Sequence, residues 1–290
     1  MFNGSIAAII TPMQNNRIDE DALARLVQFH IENGTNAIVA VGTTGEAPTL
    51  DKKEYQRVIE VVVDAVDGRL PIIAGAGSYN TADAIANTKI ATDAGADATL
   101  HVVGYYNRPS QEGIFQHFKA VATATEKPIL VYNIPPRAIV DIQPETMARL
   151  AALPNVVGLK DSTADLSRPL WERHLIEGDF CFLTGEDQLA VAYNAHGGRG
   201  CISVTANVAP RLCSDMQKAC AEQRLVDARN IQMQLMPLHR ALFLEPSPAG
   251  VKYACSLLGL SSADCRLPIV ELTPETKHQI KIEVEHLGLI

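Results

Sequence analysis

The chain has 290 residues, a formal charge of −8 and no run of Lys or Arg, which makes nucleic acid and anionic membrane surfaces poor partners. Hydrophobic content of 47% beside 20% charged residues is that of an ordinary globular chain, one large domain or one and a half, and argues against disorder. No apolar stretch approaches the roughly 18 residues that a membrane span needs.

The opening Met1–Ser5 segment lacks the basic stretch and long apolar core of a secretion signal. The six cysteines are scattered with no C-x-x-C pair, several in apolar surroundings, and a reducing cytoplasm is the expected compartment. The eight histidines are equally dispersed, with neither H-x-x-x-H nor H-E-x-x-H spacing. No protein-borne metal and no cofactor is expected.

Short apolar runs alternate with amphipathic stretches from the start. Ile6–Ile10 reads as a strand and Asp19–Asn33 as a helix closed by Gly34. Ala37–Val41 is a strand, followed by Gly42-Thr43-Thr44-Gly45-Glu46, and Asp51–Val66 is a helix with Val58, Val61, Val62 and Ala65 on one face. Pro71–Ala74 is a strand, Thr81–Ala94 a helix capped by Asn80 or Thr81, and Ala98–Val103 a strand running into Gly104-Tyr105-Tyr106-Asn107. Helix Gln111–Thr125, strand Pro128–Tyr132 and helix Gln143–Leu153 follow. Then come strand Val156–Lys160, helix Asp165–Ile176, strand Phe180–Thr184, helix Asp187–Ala195 and strand Gly200–Val204.

About eight strand-then-helix units have the length and rhythm of a TIM (β/α)8 barrel. Strands that are apolar throughout fit a parallel sheet covered on both faces. A doubly wound open sheet competes, but Thr11-Pro12 stands after the first strand where a glycine-rich dinucleotide turn would be needed. Beyond Asn207, Pro210–Ala221, Leu225–Leu244, Ala249–Leu258 and Pro274–Leu287 read as helices with no strands between them. A barrel over residues 1–224 and a helical appendage over 225–290 is the expected division; no flexible linker separates them, so the appendage should pack on the barrel.

Active-site groups of such barrels lie at the C-terminal strand ends. Those ends supply Thr43 and Thr44, Tyr105 and Tyr106, Tyr132 with Asn133, Lys160, Gly185-Glu186-Asp187, and Ile202-Ser203. A lysine carried into an apolar interior favours its neutral, nucleophilic amine, which makes Lys160 a candidate Schiff-base former. Imine chemistry needs proton shuttling, and Tyr and Thr hydroxyls relay protons without placing a fixed charge beside the iminium. Other motifs are weaker. Gly75-Ala76-Gly77-Ser78 lacks a P-loop lysine and reads as a tight turn, and His196-Gly197-Gly198 as a helix stop. His101 reads as a core histidine, and Asp161 takes no catalytic role because adjacent strand residues face opposite ways.

Gly42-Thr43-Thr44-Gly45-Glu46, Tyr105-Tyr106-Asn107-Arg108-Pro109, Tyr132-Asn133-Ile134-Pro135-Pro136-Arg137, Gly158-Leu159-Lys160-Asp161 and Ile202-Ser203-Val204-Thr205-Ala206-Asn207 together resemble the signature segments of the dihydrodipicolinate synthases, a pyruvate-dependent class I aldolase family. The resemblance runs over essentially the whole chain. It implies condensation of pyruvate with L-aspartate-4-semialdehyde, in lysine and diaminopimelate biosynthesis, by a homotetramer built as a dimer of dimers. Carried over by position, it implies that Lys160 forms the pyruvate Schiff base and Tyr132 acts as general acid and base. Thr43 would link Tyr132 to Tyr106, which reaches into a neighbouring subunit's site. Thr44 and the backbone at Ile202 would hold the pyruvate carboxylate region, Gly185 would shape the pocket, and Arg137 would bind the semialdehyde carboxylate. Thr43 and Arg137 together separate the synthases from the N-acetylneuraminate lyases that resemble them.

Some positions depart from the family pattern. Gly104 replaces a usual proline, Ala138 a common threonine or serine, and Ala164 a usual glycine. The lysine effector site of sensitive relatives falls here on Lys52, Tyr55, Tyr79 and Asp83 beside Tyr105, so weak or absent inhibition by lysine is expected. The competing functions are another pyruvate-lysine aldolase, acting on a sugar acid or 4-hydroxy-2-oxoglutarate, and a catalytically silent barrel that senses a ligand.

Overall fold

Polar caps open the helices that ring the molecule. Asp19 accepts from the Ala22 amide at the start of α1 (Glu20–Glu32), and Asp51 with Glu54 forms a reciprocal capping box at α2 (Lys52–Val66). Asn80 caps α3 (Thr81–Asp93) and Ser110 caps α4 (Gln111–Thr123). Each such cap satisfies otherwise orphaned amides, and its loss costs about 1 kcal/mol. Between the helices the apolar runs are strands, and a computed structural model describes residues 2–290.

The strands are β1 (Gly4–Ala8), a two-residue hairpin β2 (Met13–Gln14) and β3 (Arg17–Ile18), then β4 (Ala37–Ala40), β5 (Ile72–Gly75) and β6 (Ala98–Val102). Next come β7 (Ile129–Asn133), the short α5 (Pro135–Ala138) and α6 (Pro144–Ala151). The barrel sequence ends with β8 (Val156–Asp161), α7 (Arg168–Leu175), β9 (Cys181–Thr184), α8 (Ala190–Ala195) and β10 (Gly200–Ser203). Apart from the hairpin, all strands pair in parallel in chain order, and β10 closes on β1 through Ile6 and Ile202. The expected TIM barrel is therefore the observed fold.

The strand period of two divides the core. Ile6, Val39, Ile73, Leu100, Leu130, Leu183 and Ile202 point inward and fill the barrel. Ala7, Ile38, Ile72, Val131, Leu159 and Phe182 point outward and pack beneath the helices. Burying either set explains why the runs carry no polar alternation.

After β10 the chain is helical: α9 (Pro210–Ala221), α10 (Leu225–Ala241), α11 (Ala249–Leu257) and α12 (Pro274–His286). Leu235, Leu238, Val251, Ala254 and Ile280 join one continuous apolar cluster with Ile9, Ile10 and Val208. No helix among the described residues is long and apolar enough to cross a membrane.

Two elements were not expected. The hairpin turns on Asn15 and Asn16, both at positive φ (51° and 62°), the backbone of a tight turn that asparagine tolerates. The α5 turn opens on Pro135 and Pro136, which suit a first helical turn because no amide donor is needed there.

Candidate active site

Tyr132 and Lys160 are register partners on the neighbouring strands β7 and β8. Residues paired in this way share a face, and here that face is the barrel interior near its C-terminal mouth. The Lys160 Nζ lies 4.2 Å from the Tyr132 ring centroid, and each residue is only 7% exposed. Around them the mouth opens into two lobes. One, of about 280 Å³, runs past Gly42, Gly75, Gly77, Leu100 and Tyr105. The other, of about 320 Å³, runs past Ser162, Gly185, Glu186, Gln188, His239 and Ser247. Thr43, Thr44, Arg137, Tyr132 and Lys160 line both.

The glycines of the first lobe stand where strands crowd together. A Cβ at Gly77 would lie 2.5 Å from the Val102 amide nitrogen, and one at Gly75 would press on the Val41 carbonyl. Close approach of neighbouring strands, rather than the expected tight turn, is what demands glycine at these two positions. In the second lobe a Cβ at Gly185 would lie 2.6 Å from Lys160 Cε. The Gly185 amide donates to the Asp161 carbonyl at 2.7 Å, and the Ser162 amide donates to the Asn133 carbonyl at 2.9 Å. These bonds extend strand pairing past the reactive pair and fix its depth.

Charge is arranged by height. The Lys160 amine sits on the floor, and Arg137 is exposed on the rim, carried by α5. Beside the lysine, burial pushes the Glu186 carboxyl up, with the nearby Ser162 hydroxyl and the Lys160 amine pulling it part of the way back. A carboxyl raised in this way can hold a proton close to an amine. Asp187 behind it accepts from the Ser203 hydroxyl and from the amides of Val204 (2.9 Å) and Thr205 (3.2 Å), clamping the turn after β10. A buried lysine amine, an aromatic hydroxyl, a carboxyl and a rim guanidinium in one cavity can capture a carbonyl compound and orient an anionic partner.

A family model described as the "Dihydrodipicolinate synthetase family" matches residues 1–287. The chain belongs to that family. It is 53% identical over 290 residues, covering 100% of both chains, to the 4-hydroxy-tetrahydrodipicolinate synthase of Parvibaculum lavamentivorans. Its fold superposes with a TM-score of 0.98, at 41% identity and full coverage of both chains, on the chloride-inhibited dihydrodipicolinate synthase of Acinetobacter baumannii complexed with pyruvate. A structure described as the first monomeric dihydrodipicolinate synthase variant matches with a TM-score of 0.98 at 36% identity, covering 100% of this chain and 98% of that one.

The residues that the family resemblance singles out are placed unequally. Thr44 is buried and Thr43 exposed at the mouth. Ile202 is fully buried in the barrel interior and lines neither lobe. Tyr106 is 89% exposed and also lines neither lobe. It stands at φ 67°, its ring 6.5 Å from that of Tyr79, while Tyr105 faces the cavity. Within one chain, therefore, Tyr106 is not brought to Tyr132.

Among the positions that depart from the dihydrodipicolinate synthetase pattern, Gly104 is buried, and a Cβ there would lie 3.2 Å from Pro109 Cγ. Ala138 is fully buried and lines the first lobe; a hydroxyl there would need a partner. Ala164 is exposed at φ 62°, a backbone that glycine adopts without strain.

Sequence reasoning gave no role to Glu186, Ser162 or His239. Glu186 and Asp187 follow the β9 strand end, and that acidic pair was the available signal. His239 is fully buried, its Nδ1 2.7 Å from Thr205 Oγ1, and burial lowers its basicity. It arrives from α10 in the segment Met236-Pro237-Leu238-His239, which shares the family resemblance without pointing to a role for the histidine. Among the described residues no three His, Cys, Asp or Glu side chains are grouped to hold a metal ion.

Proposed function

We propose that this chain condenses pyruvate with L-aspartate-4-semialdehyde to 4-hydroxy-tetrahydrodipicolinate, a step of lysine and diaminopimelate biosynthesis. The Lys160 amine adds to the pyruvate C2 carbonyl, and loss of water gives the imine. Removal of a methyl proton gives the enamine, whose carbon attacks the aldehyde carbon of the second substrate. The amino group of that substrate then adds to C2 and displaces Lys160, closing the ring and freeing the enzyme.

In this reading Tyr132 passes protons at the carbinolamine and enamine stages, with Thr43 connecting it to Tyr106 of a second copy. Thr44 and the Ile202 backbone hold the pyruvate carboxylate region, Gly185 shapes the pocket, and Arg137 takes the semialdehyde carboxylate. The observation that carries the reading is the register pairing of Tyr132 with Lys160, 4.2 Å apart, beneath a rim guanidinium. A homotetramer, as a dimer of dimers, belongs to the same proposal. Its support is the exposure of Tyr106 (89%) and Tyr79 (50%) in one patch, an aromatic surface suited to cover by a second copy. A cytoplasmic setting is supported by six free cysteines.

The test is a coupled assay with pyruvate and L-aspartate-4-semialdehyde on the parent chain and on Arg137→Ala. The parent should turn over, and the variant should lose at least tenfold in kcat/KM for the semialdehyde while still forming the pyruvate imine. Preference for a hydroxylated 2-oxo acid, or parent-like use of the semialdehyde by Arg137→Ala, would overturn the assignment.

A further inference from the structure

The turn that carries Thr43 and Thr44 is strained at both ends. Val41 enters it at φ 48° and Glu46 leaves it at φ 57°. Left-handed backbone is costly for any side chain and most so for a β-branched one. Such residues persist only where surrounding contacts over-determine them.

Here the contacts come from distant parts of the chain. Thr11 Oγ1 donates to the Gly45 carbonyl at 2.7 Å. The Glu46 side chain turns away from the mouth and is buried against Lys252 of α11; the pair is 3% and 0% exposed. The Lys252 ammonium donates to Glu46 Oε1 and, at 2.6 Å, to the Asp264 carbonyl. Glu46 Oε2 accepts the Arg266 amide at 2.9 Å. The Arg266 guanidinium then reaches the Thr49 carbonyl at 2.8 Å and Glu54 Oε2 at 2.6 Å. Both the end of the turn and the start of α2 are thus tied to the 264–266 segment.

Neither Glu46 nor Lys252 lines either lobe of the cavity. A buried ion pair adds little stability over well-packed apolar residues of similar volume, because desolvation offsets the attraction. What such a pair supplies is a single geometry, since each oxygen and proton must meet its partner.

We propose that Glu46 and Lys252 are positioning residues: their buried pair, anchored by the Asp264 carbonyl and the Arg266 amide, holds the Thr43–Thr44 turn in its reactive shape. The proposal rests on the reading that this turn meets pyruvate beside Lys160. It gives the C-terminal helices a part in the reaction through Lys252, which lines neither lobe of the cavity.

The test compares Glu46→Gln and the double variant Glu46→Leu/Lys252→Met with the parent. The readouts are thermal midpoint, kcat, KM for pyruvate, and borohydride trapping of pyruvate on Lys160. The double variant should stay folded at the assay temperature, melting below the parent because the Asp264 carbonyl and Arg266 amide lose their partners. It should show a pyruvate KM raised about tenfold and a lower kcat, with Lys160 still trapped at saturating pyruvate. If the double variant does not fold, Glu46→Gln carries the test with the same expected split. Parent-like KM and kcat in a folded variant would overturn the proposal, as would a loss of activity that only follows the folded fraction. Failure of trapping in the parent chain would instead strike the imine reading itself.

Discussion

Gly185 and Lys160 stand side by side: a Cβ on Gly185 would lie 2.6 Å from Lys160 Cε and would press still harder on Ser162 Oγ. The glycine comes from the end of β9 and the lysine from β8, so the contact fixes the lysine stem from the side opposite Tyr132. Gly185→Ala should move the amine by a fraction of an ångström or more. A misplacement of about 1 Å at a reacting group can cost on the order of 100-fold in rate. The expected outcome is a fall in kcat/KM of about 10- to 100-fold with far-UV circular dichroism unchanged. A variant as fast as the parent would show that the lysine stem has slack.

Ala164 allows a test of stability alone. It is exposed, at φ 62°, in the loop after β8. Left-handed backbone costs an L-residue about 1 to 2 kcal/mol, while glycine's extra freedom in the unfolded chain returns about 0.5 to 1 kcal/mol of that. Ala164→Gly should therefore stabilise by about 0.5 to 1 kcal/mol, read as a higher urea midpoint at unchanged slope. A lower midpoint would contradict the strain.

Glu172 makes stability depend on pH. It is fully buried, its Oε1 3.0 Å from Arg168 Nε, and Arg168 Nη1 also meets the Asp141 carboxylate at 2.8 Å. Burial, with the charges of Asp161 and Asp141, pushes the Glu172 carboxyl up to about 8 against the pull of Arg168. The folded state thus keeps a proton that the unfolded chain releases near the usual carboxylate range. Its contribution to stability is full below about 4.5 and is lost as pH rises toward 8, by at most about 1.4 kcal/mol per pH unit. Urea midpoints of the parent should fall between pH 6 and 8, and Glu172→Gln should flatten that fall. An identical pH dependence in the two proteins would contradict the assignment.

Inhibition by L-lysine should be weak. The Tyr55 hydroxyl is committed to the Gly75 carbonyl at 2.9 Å, and the neighbouring Lys52 on α2 is exposed and cationic, unfavourable to a cationic effector. The initial rate should be nearly unchanged in micromolar L-lysine. Half-inhibition in that range would refute the expectation.

What the sequence disclosed and what it hid follow from the range of the interactions. Tyr132 and Lys160 each end an apolar run, and strand-end reasoning alone puts them at one mouth, where they are register partners. Thr43 and Thr44 also follow a strand end, whereas the sequence places Arg137 only through the family resemblance; all three line the cavity. The hairpin at Asn15-Asn16 was missed because two-residue strands carry no period. The α5 turn was missed because adjacent prolines also read as a break. The Glu46–Lys252 pair joins residues 206 positions apart, a separation at which no local pattern carries information. Tyr106 also follows a strand end, yet it is exposed and lines neither lobe of the cavity within one chain.

The most direct measurement is borohydride reduction in the presence of pyruvate, followed by peptide mapping. A single stable adduct on the peptide containing Lys160, absent without pyruvate and absent in Lys160→Ala, is the predicted result. An unmodified Lys160 peptide in a protein that turns over pyruvate and the semialdehyde would contradict the imine mechanism.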